Sequence, residues 1–253
     1  MAMFDAGRMI PVGDAALFVA QAGNPAGPPV VLLHGGLGSR ADFARLAAGL
    51  QDFRLIAIDS RGHGRSDLGA AQMSYRQMAE DVATVLERLD LTGAGLIGHS
   101  DGGIVALWLA SGLTRPAFVV TAGAQASLPA DHPARAIYAD VTAEGWCEMF
   151  PAEVAAYEAE NPAPDFARLF AATRTMWLGG SYPGAAVGRI TCPLLVLHGD
   201  EDFLIPRADA VALAGQVLGA RLFVLPFAGH TLLQDCPADV LPSLRRFMAE
   251  AAK

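Results

Sequence analysis

The chain reads as an α/β protein: a doubly wound, mostly parallel sheet of about eight strands, interrupted by a helical insertion. Three observations predict this. Short apolar runs such as Val30–Leu33, Leu55–Ile58, Ala94–Ile97 and Leu194–Leu197 alternate with amphipathic helical patterns. The runs are almost continuously apolar, as strands are when both faces of a sheet are covered. Between 126 and 187 the rhythm stops, no strand pattern is visible, and aromatic residues accumulate.

Bulk properties agree. With 253 residues, 53% hydrophobic and 17% charged, the chain can fold as one large domain or as a core with an inserted cap, and it is not a disordered chain. A formal net charge of −8 argues against non-specific nucleic-acid binding, which requires a basic surface. No signal peptide and no membrane-spanning apolar run is visible. Cys147, Cys192 and Cys236 show no paired spacing, as expected of free thiols in a reducing cytoplasm.

In order, Met9–Val12 and Ala16–Ala20 read as two strands around a Gly13-Asp14 turn. Pro29–His34 is a buried strand, 42–50 a helix and Arg54–Ile58 the next strand, followed by the polar glycine-rich segment Asp59–Ser66. Ser74–Leu89 carries Met78, Val82, Val85, Leu86 and Leu89 at helical spacing. The strand at Ala94–Ile97 precedes a helix running to Ser111, and Ala117–Thr121 is a further strand. After the insertion come a strand at Leu194–His198, a helix at Arg207–Leu218, a strand at Arg221–Leu225 and a final helix at Val240–Ala252. The expected division is a core of 1–125 and 188–253, with 126–187 a helical cap or lid.

The stretch with chemical content is Gly98-His99-Ser100-Asp101-Gly102, between a buried strand and a buried helix. A glycine-rich turn of any α/β protein could carry these letters. The strand-turn-helix context makes Ser100 a candidate nucleophile. Such a turn strains the serine backbone and crowds the residues two before and two after it, which glycine relieves.

A serine hydroxyl needs a base to take its proton and an acid to orient that base. In a doubly wound sheet these groups sit after the carboxyl ends of strands. Asp200, Glu201 and Asp202 follow one late strand and His230 follows the next. In the order Ser, acid, His, only His230 lies after the acids, which leaves His34, His63, His99, His132 and His198 aside.

Five motifs in series resemble the α/β-hydrolase fold family over nearly the full chain: His34-Gly35-Gly36, Asp59-x-Arg61-Gly62-x-Gly64-x-Ser66, Gly98-x-Ser100-x-Gly102, Gly199-x-x-Asp202-x-x-x-Pro206 and Gly229-His230. The resemblance implies Ser100 as nucleophile, His230 as base and then acid, and Asp202 as the orienting acid. It places the oxyanion donors at the backbone N–H groups of Gly36 and Asp101. It implies a cofactor-free serine hydrolase acting on small carboxylic esters, with lactones, thioesters and amine-bearing esters within reach.

Alternatives are a carbon–carbon bond hydrolase or cofactor-free haloperoxidase with the same triad, and a non-catalytic binding protein. Carbon–carbon bond hydrolases usually have a proline in the first His-Gly loop, absent from His34–Ser39. A serine rather than a carboxylate at the turn argues against dehalogenase and epoxide-hydrolase chemistry. A nicotinamide-dependent oxidoreductase is a rival because Gly36-x-Gly38-x-x-Ala41 with Asp59 has the shape of a dinucleotide fingerprint. That reading leaves the Ser–Asp–His series unexplained, and none of Tyr75, Tyr138, Tyr157 and Tyr182 has a lysine four residues on.

No metal-ligand spacing is seen. His34 and His99 read as bracing residues, and Arg61, His63 and Arg65 as loop-stabilising ones. Asp101, Trp146, Trp177 and Ile205 are candidate substrate contacts. The insertion holds eight acids against three arginines, so Asp101 within an acidic cap could attract a cationic ester, against the plainer reading that it bonds locally. Acyl preference and oligomeric state are not legible.

Overall fold

The computed structural model describes residues 3–91 and 93–253. Eight strands form one sheet in the order β1-β2-β4-β3-β5-β6-β7-β8. β1 (Gly7–Val12) and β2 (Ala15–Gly23) make an antiparallel hairpin across Gly13-Asp14, and β2 pairs antiparallel with β4 (Arg54–Ile58). From β4 onward the pairs are parallel, through β3 (Pro29–Leu33), β5 (Gly95–His99), β6 (Val119–Ala122), β7 (Leu194–Gly199) and β8 (Arg221–Leu225). The chain leaves β3 toward β4 and returns to β5 on the other side. That reversal is a topological switch point, and it opens a crevice at the carboxyl ends of β3 and β5.

Side-chain alternation splits the buried residues into two cores, one on each face. Val31, Leu33, Ile56, Ile58 and Leu96 pack with the helices α2 (Tyr75–Arg88) and α3 (Asp101–Trp108). Val30, Leu32, Leu55, Ala57 and Ile97 pack with α1 (Ala44–Ala47) and the terminal helix α10 (Pro237–Ala251). Both faces are covered, which is why these strands lack a polar alternation. Met78, Val82, Val85 and Leu86 form the buried stripe of α2, and Ser74 caps it by accepting the Gln77 N–H at 3.1 Å.

The helix expected at 42–50 is displaced. A 3₁₀ turn spans Arg40–Phe43, started by a capping box of Ser39 and Asp42, and α1 ends at Ala47. The helix after Ser100 is α-helical only to Trp108. A π turn, Leu109–Leu113, follows with Gly112 at φ 147°. A short α9 (Leu232–Asp235) precedes α10, which begins at Pro237, earlier than its apolar spacing alone indicates.

Between β6 and β7 lie α4 (Ala134–Asp140), α5 (Ala143–Met149), α6 (Pro151–Glu160) and α7 (Phe166–Leu178), then a 3₁₀ turn at Gly184–Arg189, before α8 (Arg207–Gln216) follows β7. Trp177 of α7 stacks on Tyr138 of α4, with ring centroids 5.1 Å apart at 27°, and Trp146 and Phe170 pack around it. These helices are tied to the 59–69 loop. Asn161 donates to the carbonyls of Gly64 and Ser66 at 2.8 and 3.1 Å, and Glu160 pairs with Arg65 of that loop at 3.5 Å and, outside it, with Arg40 at 2.8 Å. No helix among the described residues is long and apolar enough to cross a membrane.

Candidate active site

Ser100 stands between β5 and α3 with φ 51° and ψ −118°, a left-handed conformation that a non-glycine residue holds only under constraint. The constraint is visible. The Ser100 N–H donates to the Ala122 carbonyl at 2.8 Å, and its own carbonyl accepts the Ile104 N–H at 3.1 Å. A Cβ at Gly98 would strike the Gly102 carbonyl, and one at Gly102 would strike the Leu33 carbonyl. Both glycines of the motif are there for close backbone approach.

The sheet brings the distant residues together. His230 Nε2 lies 3.0 Å from Ser100 Oγ, and His230 Nδ1 lies 2.8 Å from Asp202 Oδ2. The other Asp202 oxygen accepts the N–H groups of Leu204 and Ile205, each at 2.9 Å. Burial would raise the Asp202 carboxyl, but the His230 hydrogen bond and charge and these two N–H groups outweigh it and hold it below the usual carboxylate range. Nδ1–H therefore faces the carboxylate, and Nε2 is left to accept from the serine. Asp200 lies apart, paired at the surface with Arg207 at 2.8 Å.

Gly36 follows β3 and Asp101 opens α3, which brings both residues to the switch point beside Ser100. Neither backbone N–H donates a hydrogen bond to another described residue. The N-terminus of α3 adds its dipole to the same place.

Four other histidines lie outside the line of Ser100, His230 and Asp202. His34 donates from Nδ1 to the Gly35 carbonyl at 2.7 Å and accepts the Ser60 N–H at Nε2, 2.9 Å. His63 donates to the Arg61 carbonyl at 2.8 Å, and His132 pairs with Asp209 at 2.7 Å. His198 is buried within β7. Arg61 is buried and bidentate to Asp81, at 2.8 Å for each bond, and Arg65 donates to the Asp5 carbonyl at 2.8 Å. Among the described residues no group of His, Cys, Asp and Glu could hold a metal ion.

The candidate substrate contacts divide. Asp101 is 3% exposed and both its oxygens are taken, by Tyr75 Oη–H and Trp177 Nε1–H at 2.8 Å each. The plainer local-bonding expectation matches this geometry. Ile205 is buried and serves the site through its N–H to Asp202. Trp146 packs on Phe150 and Trp177, behind the residue that touches Asp101.

Three contributors escape sequence reasoning. His99 does more than brace its own turn: its Nε2–H donates to the His230 carbonyl at 2.9 Å. Gly123, at φ 59°, leaves room for the His230 ring, which a Cβ would meet at 3.0 Å. A glycine directly after a strand was the available signal there. Tyr75 had none.

Residues 28–114 match the family model described as alpha/beta hydrolase fold. The chain is 32% identical over 258 residues to a Variovorax paradoxus (strain S110) protein provisionally named carbamate hydrolase RutD, covering 90% of this chain and 95% of that one. It is 31% identical over 271 residues to a non-heme chloroperoxidase of Streptomyces lividans, covering 92% and 95%. Among solved structures, an esterase from Exiguobacterium antarcticum superposes with TM-score 0.76 at 25% identity, over 96% of this chain and 99% of that one.

Proposed function

The chain belongs to the alpha/beta hydrolase fold family, and from that membership and the site geometry we propose that it is a serine hydrolase of small carboxylic esters working through an acyl-enzyme. The observation that carries this is the continuous line Ser100 Oγ, His230, Asp202, with steps of 3.0 and 2.8 Å. His230 Nε2 takes the serine proton as Oγ attacks the ester carbonyl carbon. The charge that develops on the carbonyl oxygen is met by the N–H groups of Gly36 and Asp101. Asp202 holds the ring orientation and stabilises the imidazolium. The tetrahedral adduct collapses, the C–O bond to the alcohol breaks, and the alcohol leaves with the proton from His230. Water, deprotonated by the same nitrogen, then attacks the acyl carbon and frees Ser100.

The committed carboxylate of Asp101 supports neutral rather than cationic acyl groups. We place residues 126–187 over the site as a lid, since Trp177 of this segment bonds the residue next to the nucleophile. The unpaired Cys147, Cys192 and Cys236 fit a reducing, cytoplasmic setting. Similarity to the chloroperoxidase favours one second reading, in which hydrogen peroxide replaces water in attacking the acyl-enzyme and yields a peracid.

The test is hydrolysis of p-nitrophenyl acetate, butyrate and octanoate by wild type and Ser100→Ala, with and without hydrogen peroxide. Wild-type turnover of the short esters, reduced by at least about 10³-fold in the variant, is expected. Equal rates in both proteins would overturn the reading. Peracid formation that outruns hydrolysis would favour the second.

A further inference from the structure

Asp101 links the two N–H groups that would meet the oxyanion. Its own N–H is one of them. Its carboxylate turns inward and lies against the Cα of Gly36, the residue that carries the other: a Cβ at Gly36 would lie 2.5 Å from Asp101 Oδ2 and 2.8 Å from Trp177 Cζ2. The carboxylate is held by the hydroxyl of Tyr75, the first residue of α2, and by the indole N–H of Trp177, in the last turn of α7. The ring of contacts closes on itself. The Tyr182 hydroxyl donates to the Trp177 carbonyl at 3.0 Å, and the Tyr182 ring packs on Tyr75 with centroids 4.8 Å apart.

We infer that Trp177 and Tyr75 are positioning residues that set the oxyanion-binding N–H groups of Gly36 and Asp101 through the Asp101 carboxylate. This rests on the reading of the site given above. Oxyanion donors act at 2.7–3.1 Å from a charge that exists only in the transition state, so a small displacement costs rate rather than substrate affinity. Trp177 wedges Gly36 directly and fixes Asp101 at the same time. Tyr75 fixes the other oxygen, so the carboxylate cannot rotate toward the serine. A buried carboxylate deprived of either donor is left with an unmatched acceptor, and it relaxes by turning or by taking a proton. Burial already raises the Asp101 carboxyl, and the two donors offset only part of that. The helices inserted between β6 and β7 thus supply part of the catalytic geometry as well as cover.

The experiment uses Tyr75→Phe, which keeps the ring and removes one donor, Trp177→Phe, which removes the other donor together with part of the indole that lies against Gly36, and Asp101→Asn, which keeps the shape with a single acceptor oxygen. Active sites are titrated first, so that rates refer to folded, competent molecules. With p-nitrophenyl acetate, kcat is expected to fall about ten- to a hundredfold in each aromatic variant, part of the 10²–10³ that loss of a whole donor costs. KM should change less than about threefold. The inhibition constant of a phenylboronic acid, whose tetrahedral adduct occupies the oxyanion position, should rise in proportion to the fall in kcat/KM. The double variant Trp177→Phe with Asp101→Asn should lose less than the product of the single losses, because both act along one path. Titrated variants, Asp101→Asn included, with kcat within about twofold of wild type and an unchanged boronate constant would overturn the proposal, whatever their melting temperatures. If Trp177→Phe does not fold, Tyr75→Phe and Asp101→Asn carry the same test. Ser100→Ala runs alongside: if it is inactive, a negative result overturns only the positioning role, and if it is active the reading of the site falls as well.

Discussion

His99 Nε2 donates to the backbone carbonyl of His230 over 2.9 Å, so the residue before the nucleophile holds the backbone of the base. The two rings lie 5.1 Å apart at 53°, and His99 is buried. Removing this donor leaves the His230 carbonyl without that partner, and the residue then relies on its ring bonds to Asp202 and Ser100. His99→Phe is therefore expected to lower kcat about tenfold or more with KM little changed, and steady-state kinetics on a short p-nitrophenyl ester check it. A variant as fast as wild type would show that the loop holds its position unaided.

Asp202→Asn separates charge from shape. The variant presents an amide where Nδ1–H meets a carboxylate, so the imidazole is no longer fixed with Nε2 free. A loss on the order of 10³–10⁴ in kcat is expected, whereas Asp200→Asn, at the exposed Arg207 pair, should stay within about twofold. Reversed effects would assign the acid to Asp200.

Arg61 is an uncommonly large side chain to be wholly buried. It is held by Asp81 at 2.8 Å on two nitrogens and by Asp14 at 2.8 Å. Replacing it with Met strands the Asp81 carboxylate inside the protein. Breaking such a pair from one side costs about 3–5 kcal/mol, to be measured by urea unfolding. The double variant Arg61→Met with Asp81→Leu should regain part of the loss.

Stability should fall on mild acidification. Burial pushes His34 from 6.5 down to about 4, and His63 and His99 down to about 3. As pH drops through 6.5 the unfolded chain takes up protons at these positions and the native chain does not. Each histidine therefore withdraws up to about 1.4 kcal/mol per pH unit until its native value is reached. Asp42 opposes them: burial raises it to about 6, so the native chain binds a proton there between about 6 and 4 that the unfolded chain does not. Asp59 and Asp101, also raised by burial, act in the same sense. The decline is expected first between pH 7 and 6, above the Asp42 value, and Asp42→Asn should steepen it below 6. Denaturation midpoints followed across pH 5–7 check both, and stability that rises from pH 7 to 6 would contradict the assignment.

The strands were legible because both faces of the sheet are covered, which makes β3, β4, β5 and β7 nearly continuous apolar runs. Ser100, the acids Asp200 to Asp202 and His230 were legible because each follows a strand end, where this topology gathers side chains, and the spacing of the Gly199-x-x-Asp202 motif in the family resemblance singled out Asp202 among the acids. The boundaries of α1 were not, since the Ser39–Asp42 capping box begins a 3₁₀ turn before the apolar pattern does. Tyr75 was not, because nothing local marks a helix N-terminal residue whose hydroxyl meets a carboxylate 26 positions away. Trp177 was visible only as one aromatic among many. What singles it out is its N–H on Asp101, a property of how the inserted helices settle on the sheet.

The most direct test of the central claim is labelling of the folded protein with a fluorophosphonate, read by mass spectrometry of its peptides. The account predicts one adduct, on Ser100, formed quickly in wild type, slowly in His230→Ala and not at all in Ser100→Ala. Folded wild type that stays unlabelled, or that carries the adduct on another residue, would contradict Ser100 as the nucleophile.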